Sequence, residues 1–176
     1  MASSSSSKST SSPALVPRGA NEGKPPIAIN RPVWIVGSRK GCHFNIPSSH
    51  VSQAHCVIVN TGHGFYVKDL ASREHTFVNK RAVAEAVLKD GDKLQIGTYK
   101  FFFKDPTAKK GDAIPEAEPA ILRISGESMH LALTSKVTLI GRKPNCDVPL
   151  TEDSVSTTHA LVLDIGGDHY YVRDLG

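Results

Sequence analysis

The chain has few of the residues that cross-link a small fold or carry it into a membrane. It contains three cysteines among 176 residues, none in C-x-x-C spacing, which argues against a disulfide framework and against a zinc site. No apolar run approaches the roughly 18 residues that a membrane span needs, and the Ser-rich N-terminus lacks the apolar segment of a secretory signal. We therefore expect a cytoplasmic protein with no membrane contact, no metal and no other cofactor.

Concentrated positive charge is also missing. The net charge is +4, but Lys and Arg are scattered in ones and twos, without a basic stripe or an aromatic-rich basic cluster. We therefore do not expect nucleic acid as a partner. Hydrophobic residues make up 39% of the chain and charged residues 22%, which is the composition of an ordinary globular protein.

What the chain does contain is a repeat of itself. The segment from Gly37 to Gly62 matches the segment from Gly141 to Gly166 at an offset of 104 residues, and one inserted residue later the match resumes at 105. The equivalent pairs are Gly37 and Gly141, Cys42 and Cys146, Val51 and Val155, Ser52 and Ser156, His55 and His159, and the segments 66–70 and 171–175. This period exceeds the roughly 20–50 residues of solenoid repeats. Two copies of one domain type are therefore expected.

The N-terminal region allows two interpretations. Residues 1–13 are Ser-rich and of low complexity, so residues 1–25 are expected to form a disordered tail. Within it, residues 14–19 resemble a protease site of the kind used to remove affinity tags. They also align with the apolar stretch 120–124 under the repeat, as a first β-strand would. The residues alone support both interpretations equally.

From Pro26 onward the pattern is typical of a β-sandwich, because short runs rich in Val, Ile, Phe and Tyr alternate with Gly, Asn, Asp and Pro turns. Residues 82–88 have helical propensity but are too few to form a stable helix. The predicted strands are 33–36, 56–59, 65–67, 76–78, 93–96, 99–103, 120–124, 130–134 and 136–140. The predicted organisation is a first domain over 26–104, a Pro-, Ala-, Lys- and Glu-rich linker over 105–119, and a second domain over 120–176.

Both copies resemble the forkhead-associated (FHA) domain. In the second copy the resemblance rests on residues 140–142, 146–148, 155–160 and 172–176. In the first copy residues 69–79 stand in the place of its D-L-x-S-x-N-G-T-x-V-N motif, and residues 88–97 in the place of its closing turn and strand. The resemblance covers 27–104 fully and 120–176 partly. It implies an all-β protein of tandem β-sandwich domains whose loops bind phosphothreonine peptides without catalysis.

Phosphate recognition makes defined chemical demands. A phosphothreonine carries close to two negative charges and three acceptor oxygens, so its reader needs a guanidinium and a hydroxyl or amide donor beside it. Arg142 and Ser156 can supply these from the loops that flank one strand. In the FHA resemblance they match the phosphate-binding positions, and Thr157 matches a neighbouring ligand contact.

The first copy departs from this pattern. Ser38 stands where the second copy has Arg142, and the arginine lies one residue later, at Arg39. Glu74 and His75 replace the Asn-Gly of the family motif, which puts an acid close to where phosphate would lie. We therefore expect phosphate binding chiefly in the second copy. The weaker candidates in the first copy are Ser38, Arg39, Ser52, Gln53, Arg73 and Glu74.

The S-x-x-H element of both copies places a hydroxyl near an imidazole, as in a nucleophile–base pair. No third orienting group recurs in both copies. The resemblance implies instead that His55 and His159 tie the loop by hydrogen bonds, and Gly37 and Gly141 are likewise interpreted as structural.

The second copy stops at Gly176, before the counterparts of residues 72–103. An open half-sandwich leaves unpaired edges and an exposed core, so either the chain is a piece of a longer protein or the missing strands come from elsewhere. Residues 120–176 are accordingly expected to be less stable than residues 27–104. The sequence thus predicts a phosphothreonine-binding adaptor or signalling module. The alternative is a scaffolding or dimerisation protein whose degenerate FHA-like domains bind partners without phosphate.

Overall fold

The computed structural model describes residues 12–107, 119–123, 125, 130–165 and 169–176, and over these residues the protein is all-β apart from a 3-10 turn at Gly19–Asn21. The first copy contains β1 Ala14–Arg18, β2 Ile27–Ala28, β3 Val33–Gly37, β4 Phe44–Asn45, β5 Cys56–Asn60, β6 Phe65–Asp69, β7 Thr76–Val78, β8 Arg81–Val83, β9 Glu85–Leu88, β10 Lys93–Ile96 and β11 Tyr99–Lys104. The second copy contains β12 Ala120–Arg123, β13 His130–Leu133, β14 Val137–Gly141, β15 Val148–Pro149, β16 Ala160–Asp164 and β17 Tyr170–Asp174. Within the described part of the chain, no helix is long and apolar enough to cross a membrane.

The first copy is a β-sandwich of two sheets. The strand order is β2-β1-β11-β10-β7-β8 in the six-stranded sheet and β4-β3-β5-β6-β9 in the five-stranded sheet. Side chains alternate between the two faces of a strand, so Trp34 of β3 and Ile58 of β5, which pair across the sheet, both point inward. They pack with Phe65 and Phe103 in a core that lies between the two sheets. The predicted β-sandwich is confirmed.

Residues 14–18 belong to this sandwich. Strand β1 pairs with β11 along its whole length, with Leu15 opposite Phe103, and both of these side chains are completely buried. The strand interpretation is therefore the one that the structure supports. The expectation of a disordered tail over 1–25 is wrong from Ala14 onward, and the first domain begins there instead of at residue 26. Residues 1–11 of the expected tail lie outside the described residues.

The helix-prone residues 82–88 contribute to two short strands instead. Strand β8 pairs with β7 at the edge of the six-stranded sheet, whereas β9 pairs with β6 at the edge of the five-stranded sheet. The chain thus crosses from one sheet to the other at Ala84. Pairing with distant strands overrides the local helical propensity.

The second copy repeats the central part of the first. Its four-stranded sheet has the order β15-β14-β16-β17, equivalent to β4-β3-β5-β6, and β12 and β13 form a separate two-stranded sheet. Backbone hydrogen bonds recur at equivalent places: His55 N–H donates to Val36 O, and His159 N–H donates to Ile140 O, both at 2.9 Å. Most of the expected linker, residues 108–118, and Ile124 of the expected strand 120–124 lie outside the described residues.

The sheet of the second copy packs against the outer face of the five-stranded sheet of the first. One cluster of buried apolar side chains joins them: Ile35, Ala54, Val57, Val59 and Leu70 from the first copy with Val137, Leu139, Cys146, Leu161, Leu163 and Leu175 from the second. One face of the second sheet is therefore covered within the chain. Val172 points to the opposite face, where its side chain is 73% exposed.

Candidate functional site

The candidate residues of the second copy lie on two adjoining loops. Arg142 follows β14, and Ser156 and Thr157 precede β16, which is the antiparallel neighbour of β14. The Arg142 backbone N–H donates to Ser156 O at 3.0 Å. Thr157 is exposed, and its carbonyl accepts a hydrogen bond from the Lys143 N–H at 3.3 Å. The structure therefore brings Arg142, Ser156 and Thr157 together at one end of the sheet.

The Arg142 side chain makes only weak polar contacts with other groups of the protein. Its Nε donates to Val155 O at 3.2 Å, and a terminal nitrogen lies 3.6 Å from the Asp153 carboxylate. The Arg142 side chain is 45% exposed and that of Asp153 is completely exposed. Such solvent-screened pairs contribute little, so an anionic ligand can replace the Asp153 carboxylate beside the guanidinium.

The histidines of the two S-x-x-H elements make the same hydrogen bond. His55 Nδ1 accepts from the Ser52 N–H at 3.1 Å, and His159 Nδ1 accepts from the Ser156 N–H at 3.2 Å. The other ring nitrogen of His55, Nε2, is 3.1 Å from the carbonyl oxygen of His75 and donates to it. Burial lowers the pKa of His55, which favours the neutral ring that these two bonds require. His55 thus holds two loops together.

The glycines at the ends of β3 and β14 allow the loops to approach closely. A Cβ at Gly37 would lie 2.1 Å from Gln53 O, and a Cβ at Gly141 would lie 2.6 Å from Thr157 O. Both distances are far shorter than a carbon–oxygen contact tolerates. A side chain at either glycine would therefore push apart the two loops that carry the candidate ligands.

The first copy brings five of its six candidates together. The Ser38 N–H donates to Ser52 O at 2.9 Å, and Ser52 Oγ accepts from the Arg73 N–H at 3.0 Å. The Arg73 guanidinium donates to Ser49 O at 2.9 Å. Gln53 contributes its carbonyl oxygen, which accepts from the Arg39 N–H at 3.2 Å. The loops thus have the same backbone arrangement as in the second copy, but position 38 lacks a guanidinium.

The acid of the first copy has a partner that sequence reasoning missed. Glu74 Oε1 lies 2.7 Å from His50 Nδ1, on the loop between β4 and β5. His75, beside it, has a φ of 57°, the left-handed conformation that glycine adopts most easily. A positive φ thus occurs at the position where the family motif has glycine, and Glu74 stands in place of the asparagine amide.

Arg39 lies against the second copy. One of its guanidinium nitrogens is 2.8 Å from the point that a Cβ on Gly176 would occupy. The equivalent residue of the second copy, Lys143, donates from Nζ to Ala71 O of the first copy at 2.9 Å. Ala71 and Gly176 are themselves equivalent under the repeat. Lys143 was not singled out from the sequence, because its role depends on the other copy.

Within the described ranges, no group of three or more His, Cys, Asp or Glu residues is placed to hold a metal ion.

Comparison with known proteins agrees with the resemblance seen in the motifs. The model of the FHA domain matches residues 34–97 and 138–176, which is more than half of the chain. The glycogen accumulation regulator GarA of Mycolicibacterium smegmatis is 32% identical over 89 residues, a match that covers 51% of this chain and 56% of GarA. The human E3 ubiquitin-protein ligase CHFR is 31% identical over 87 residues, covering 47% of this chain and 13% of CHFR. The chain thus spans about half of GarA and much less of CHFR.

Among solved structures, Mycobacterium tuberculosis EmbR in complex with a low-affinity phosphopeptide superposes with a TM-score of 0.50 at 23% identity. The match covers 57% of this chain and 26% of EmbR. At this identity the likeness concerns the fold alone.

Proposed function

Because the chain belongs to the FHA-domain family, we propose that its second copy binds phosphothreonine peptides, with Arg142 and Ser156 as the phosphate ligands and Thr157 as a neighbouring contact. The observation that carries the proposal is the junction of the two loops, where the Arg142 N–H bonds to Ser156 O at 3.0 Å. This bond holds a guanidinium and a hydroxyl on adjacent segments of backbone.

The chemistry of this pair suits a phosphate dianion. A guanidinium donates two parallel hydrogen bonds to phosphate oxygens, and a serine hydroxyl supplies a third donor. A hydrogen bond to a charged group contributes about 1.5–3 kcal/mol, so two or three such contacts make binding depend on phosphorylation. A phosphate has to displace only the exposed Asp153 carboxylate, 3.6 Å from the guanidinium.

The partner we propose is a phosphothreonine-containing protein, and the chain acts as an adaptor in the cytoplasm without a catalytic step of its own. EmbR, which has this fold, is seen in complex with a phosphopeptide. The ligase activity named for CHFR is not carried over, because the match spans 13% of that protein.

The proposal is tested by titrating the 176-residue chain into fluorescent phosphothreonine peptides and their unphosphorylated counterparts. Arg142→Ala is expected to weaken phosphopeptide binding at least tenfold, because it removes a hydrogen bond to a charged group worth about 1.5–3 kcal/mol. Arg123→Ala is the matched control: Arg123 is exposed on β12 of the same copy and its loss changes the charge equally. Equal affinity for both peptide forms, or equal effects of the two variants, contradicts the proposal.

For the first copy we propose the phosphate-independent alternative. Position 38 carries no cation, Glu74 is held at the ligand end by His50, and Arg39 lies against Gly176. An acid near the ligand position repels phosphate.

A further inference from the structure

The contact between the two copies uses the same positions on both. Strand β3 contributes Ile35 and β14 contributes its equivalent, Leu139. The other equivalent pairs in the buried cluster are Val57 and Leu161, Val59 and Leu163, and Leu70 and Leu175. Val33 and Cys42, the equivalents of Val137 and Cys146, are partly buried and pack against the cluster. An interface that pairs one patch with its own equivalent is isologous, as in a two-fold dimer. The two copies therefore meet about a pseudo-two-fold axis within one chain.

Two cations at the edge of the interface follow the same symmetry. Lys143 reaches from the second copy to the carbonyl oxygen of Ala71, and its equivalent, Arg39, reaches from the first copy to Gly176. Each cation thus extends from the loop after β3 or β14 to the segment after the equivalent strand of the other copy, β17 or β6.

One pair of charges breaks the symmetry. Lys68 of β6 lies 2.9 Å from the Asp147 carboxylate, and only 7% of the Lys68 side chain is exposed. The pseudo-two-fold axis relates this ion pair to Arg173 and His43. Burial, Arg31 and Arg173 lower the pKa of His43, so a neutral base stands where the other side has a carboxylate.

The backbone role of His43 and Asp147 is nevertheless the same. His43 Nδ1 accepts from the Ile35 N–H at 2.9 Å, and Asp147 Oδ2 accepts from the Leu139 N–H at 2.6 Å. Both residues tie a loop to the central strand of their own copy. They differ only in the charge that they present to the opposite copy, and therefore in the partner that they favour.

These charges make the outer face of the five-stranded sheet selective for the second copy over another first copy. Paired with a second face of its own kind, it would set Lys68 against His43 twice, and the carboxylate left near each Lys68 would be Glu85 of its own copy, 3.6 Å away. Paired with the second copy, it gains the ion pair between Lys68 and Asp147. Unfavourable pairings of this kind are a common source of specificity. The linker of the same chain further raises the effective concentration of the second copy.

We propose that the outer face of the five-stranded sheet is a docking surface for the second copy of the same chain, and that this docking is the binding function of the first copy. It does not depend on whether the second copy binds phosphate.

Zero-length cross-linking tests whether the second copy docked on this face belongs to the same chain or to another chain. A carbodiimide joins an amine to a carboxylate in direct contact, so the full chain is expected to yield a Lys68–Asp147 cross-link. The positive control is Lys136–Asp164, 2.7 Å apart within the second copy. In an equal mixture of ¹⁴N and ¹⁵N chains, the Lys68–Asp147 peptides are expected to be uniformly light or uniformly heavy. Mixed peptides would show that another chain supplies the occupant, and absence of this cross-link beside a normal control would overturn the docking.

A series of charge substitutions tests the selectivity of this face for the second copy. The readout is amide exchange of β14 and β16. The emission of the only tryptophan, Trp34, checks that the first copy stays folded. Asp147→Asn keeps an acceptor for the Leu139 N–H but loses the charge, and is expected to accelerate exchange at least tenfold. Asp153→Asn, at an exposed carboxylate outside the interface, is the control and is expected to have no effect.

His43→Asp is the reverse test. It lies in the first copy, retains an acceptor for the Ile35 N–H, and adds a carboxylate opposite Arg173. Exchange of β14 and β16 in the second copy is expected to slow about two- to fivefold, the effect of one modest ion pair. Because the substitution is in one copy and the readout in the other, a purely local effect would not move it. Unchanged exchange with His43→Asp, or equal effects of Asp147→Asn and Asp153→Asn, overturns the selectivity.

Discussion

At the scale of single residues, the two copies keep the same backbone contacts and change the chemistry of the side chains. The Ser38 N–H and the Arg142 N–H bond to equivalent carbonyl oxygens, Ser52 O and Ser156 O, yet only Arg142 can pair with an anion. The two copies thus share the backbone contacts that shape the loops and differ in the side chains that the loops carry.

The stability of the first copy is expected to decrease as the pH falls through the unfolded-state pKa of histidine. The folded state lowers the pKa of His43 and of His55 below the ordinary value of 6.5, in both cases mainly through burial. Between the lowered folded value and 6.5 the unfolded chain binds more protons, so stability rises with pH in that window and is fully present above it. The urea midpoint followed by Trp34 emission should be constant from pH 7.5 to about 7 and fall toward pH 5.5.

His43→Asp is expected to reduce this pH dependence, because it removes one of the two histidines. A midpoint that stays constant down to pH 5.5 in the unsubstituted chain would show that neither histidine is kept neutral by folding.

At the scale of single elements, the loop between β6 and β7 stands out for its backbone conformation. Ala71 and His75 have φ values of 53° and 57°, although a Cβ in this region costs about 1–2 kcal/mol. The loop keeps this shape because His55 bonds to the carbonyl oxygen of His75 and Lys143 bonds to that of Ala71.

His75→Gly is expected to stabilise the first copy. It relieves about 1–2 kcal/mol of backbone strain and loses about 0.5–1 kcal/mol to the greater freedom of glycine in the unfolded chain. The difference, about 0.75 kcal/mol at the centre of these ranges, raises the Tm by about 3–6 °C in a domain of this size, measured by thermal unfolding with Trp34 emission. His63→Gly is the control, because His63 is exposed and does not have a positive φ. A lower Tm for His75→Gly than for His63→Gly would contradict the strain argument.

At the scale of the whole molecule, burial in the second copy differs from strand to strand. Leu161 and Leu163 of β16 are completely buried against the first copy. In β17, Tyr171 is 59% exposed and Val172 is 73% exposed. The expectation that residues 120–176 are less stable than the first copy stays a prediction, and the structure narrows it to particular strands.

Amide exchange of the full chain is expected to separate these strands. Protection in β14 and β16 should approach that of β3 and β5, because all four lie at the buried interface, whereas β17 should exchange faster. The comparison is made by mass spectrometry of peptides that cover each strand. Equally fast exchange of β16 and β17 would mean that the first copy does not shield the second sheet.

The amino-acid sequence by itself determined the elements that depend on local pattern. Apolar runs bounded by turn residues predicted β3, β5, β6, β7, β10 and β11 of the first copy and β12, β13 and β14 of the second. The equivalence of Arg142 and Ser156 to a known motif predicted that they lie on loops flanking one strand. Each of these inferences uses a short stretch of chain, or two stretches joined by one strand pairing, and such patterns are legible in a single sequence.

Only the tertiary structure decided what depends on distant segments. Residues 14–18 form a strand because they pair with β11, where Leu15 lies opposite Phe103. Residues 82–88 contribute to two strands because they pair with the edges of β7 and β6. The continuous apolar runs at 33–36 and 56–59 did carry a signal for the interface, since strands buried on both faces lose the alternation of polar and apolar residues. These runs did not show which segment covers the second face. The apolar pattern of a strand indicates that the strand is buried, but the covering segment is identified only by contacts between residues far apart in the sequence.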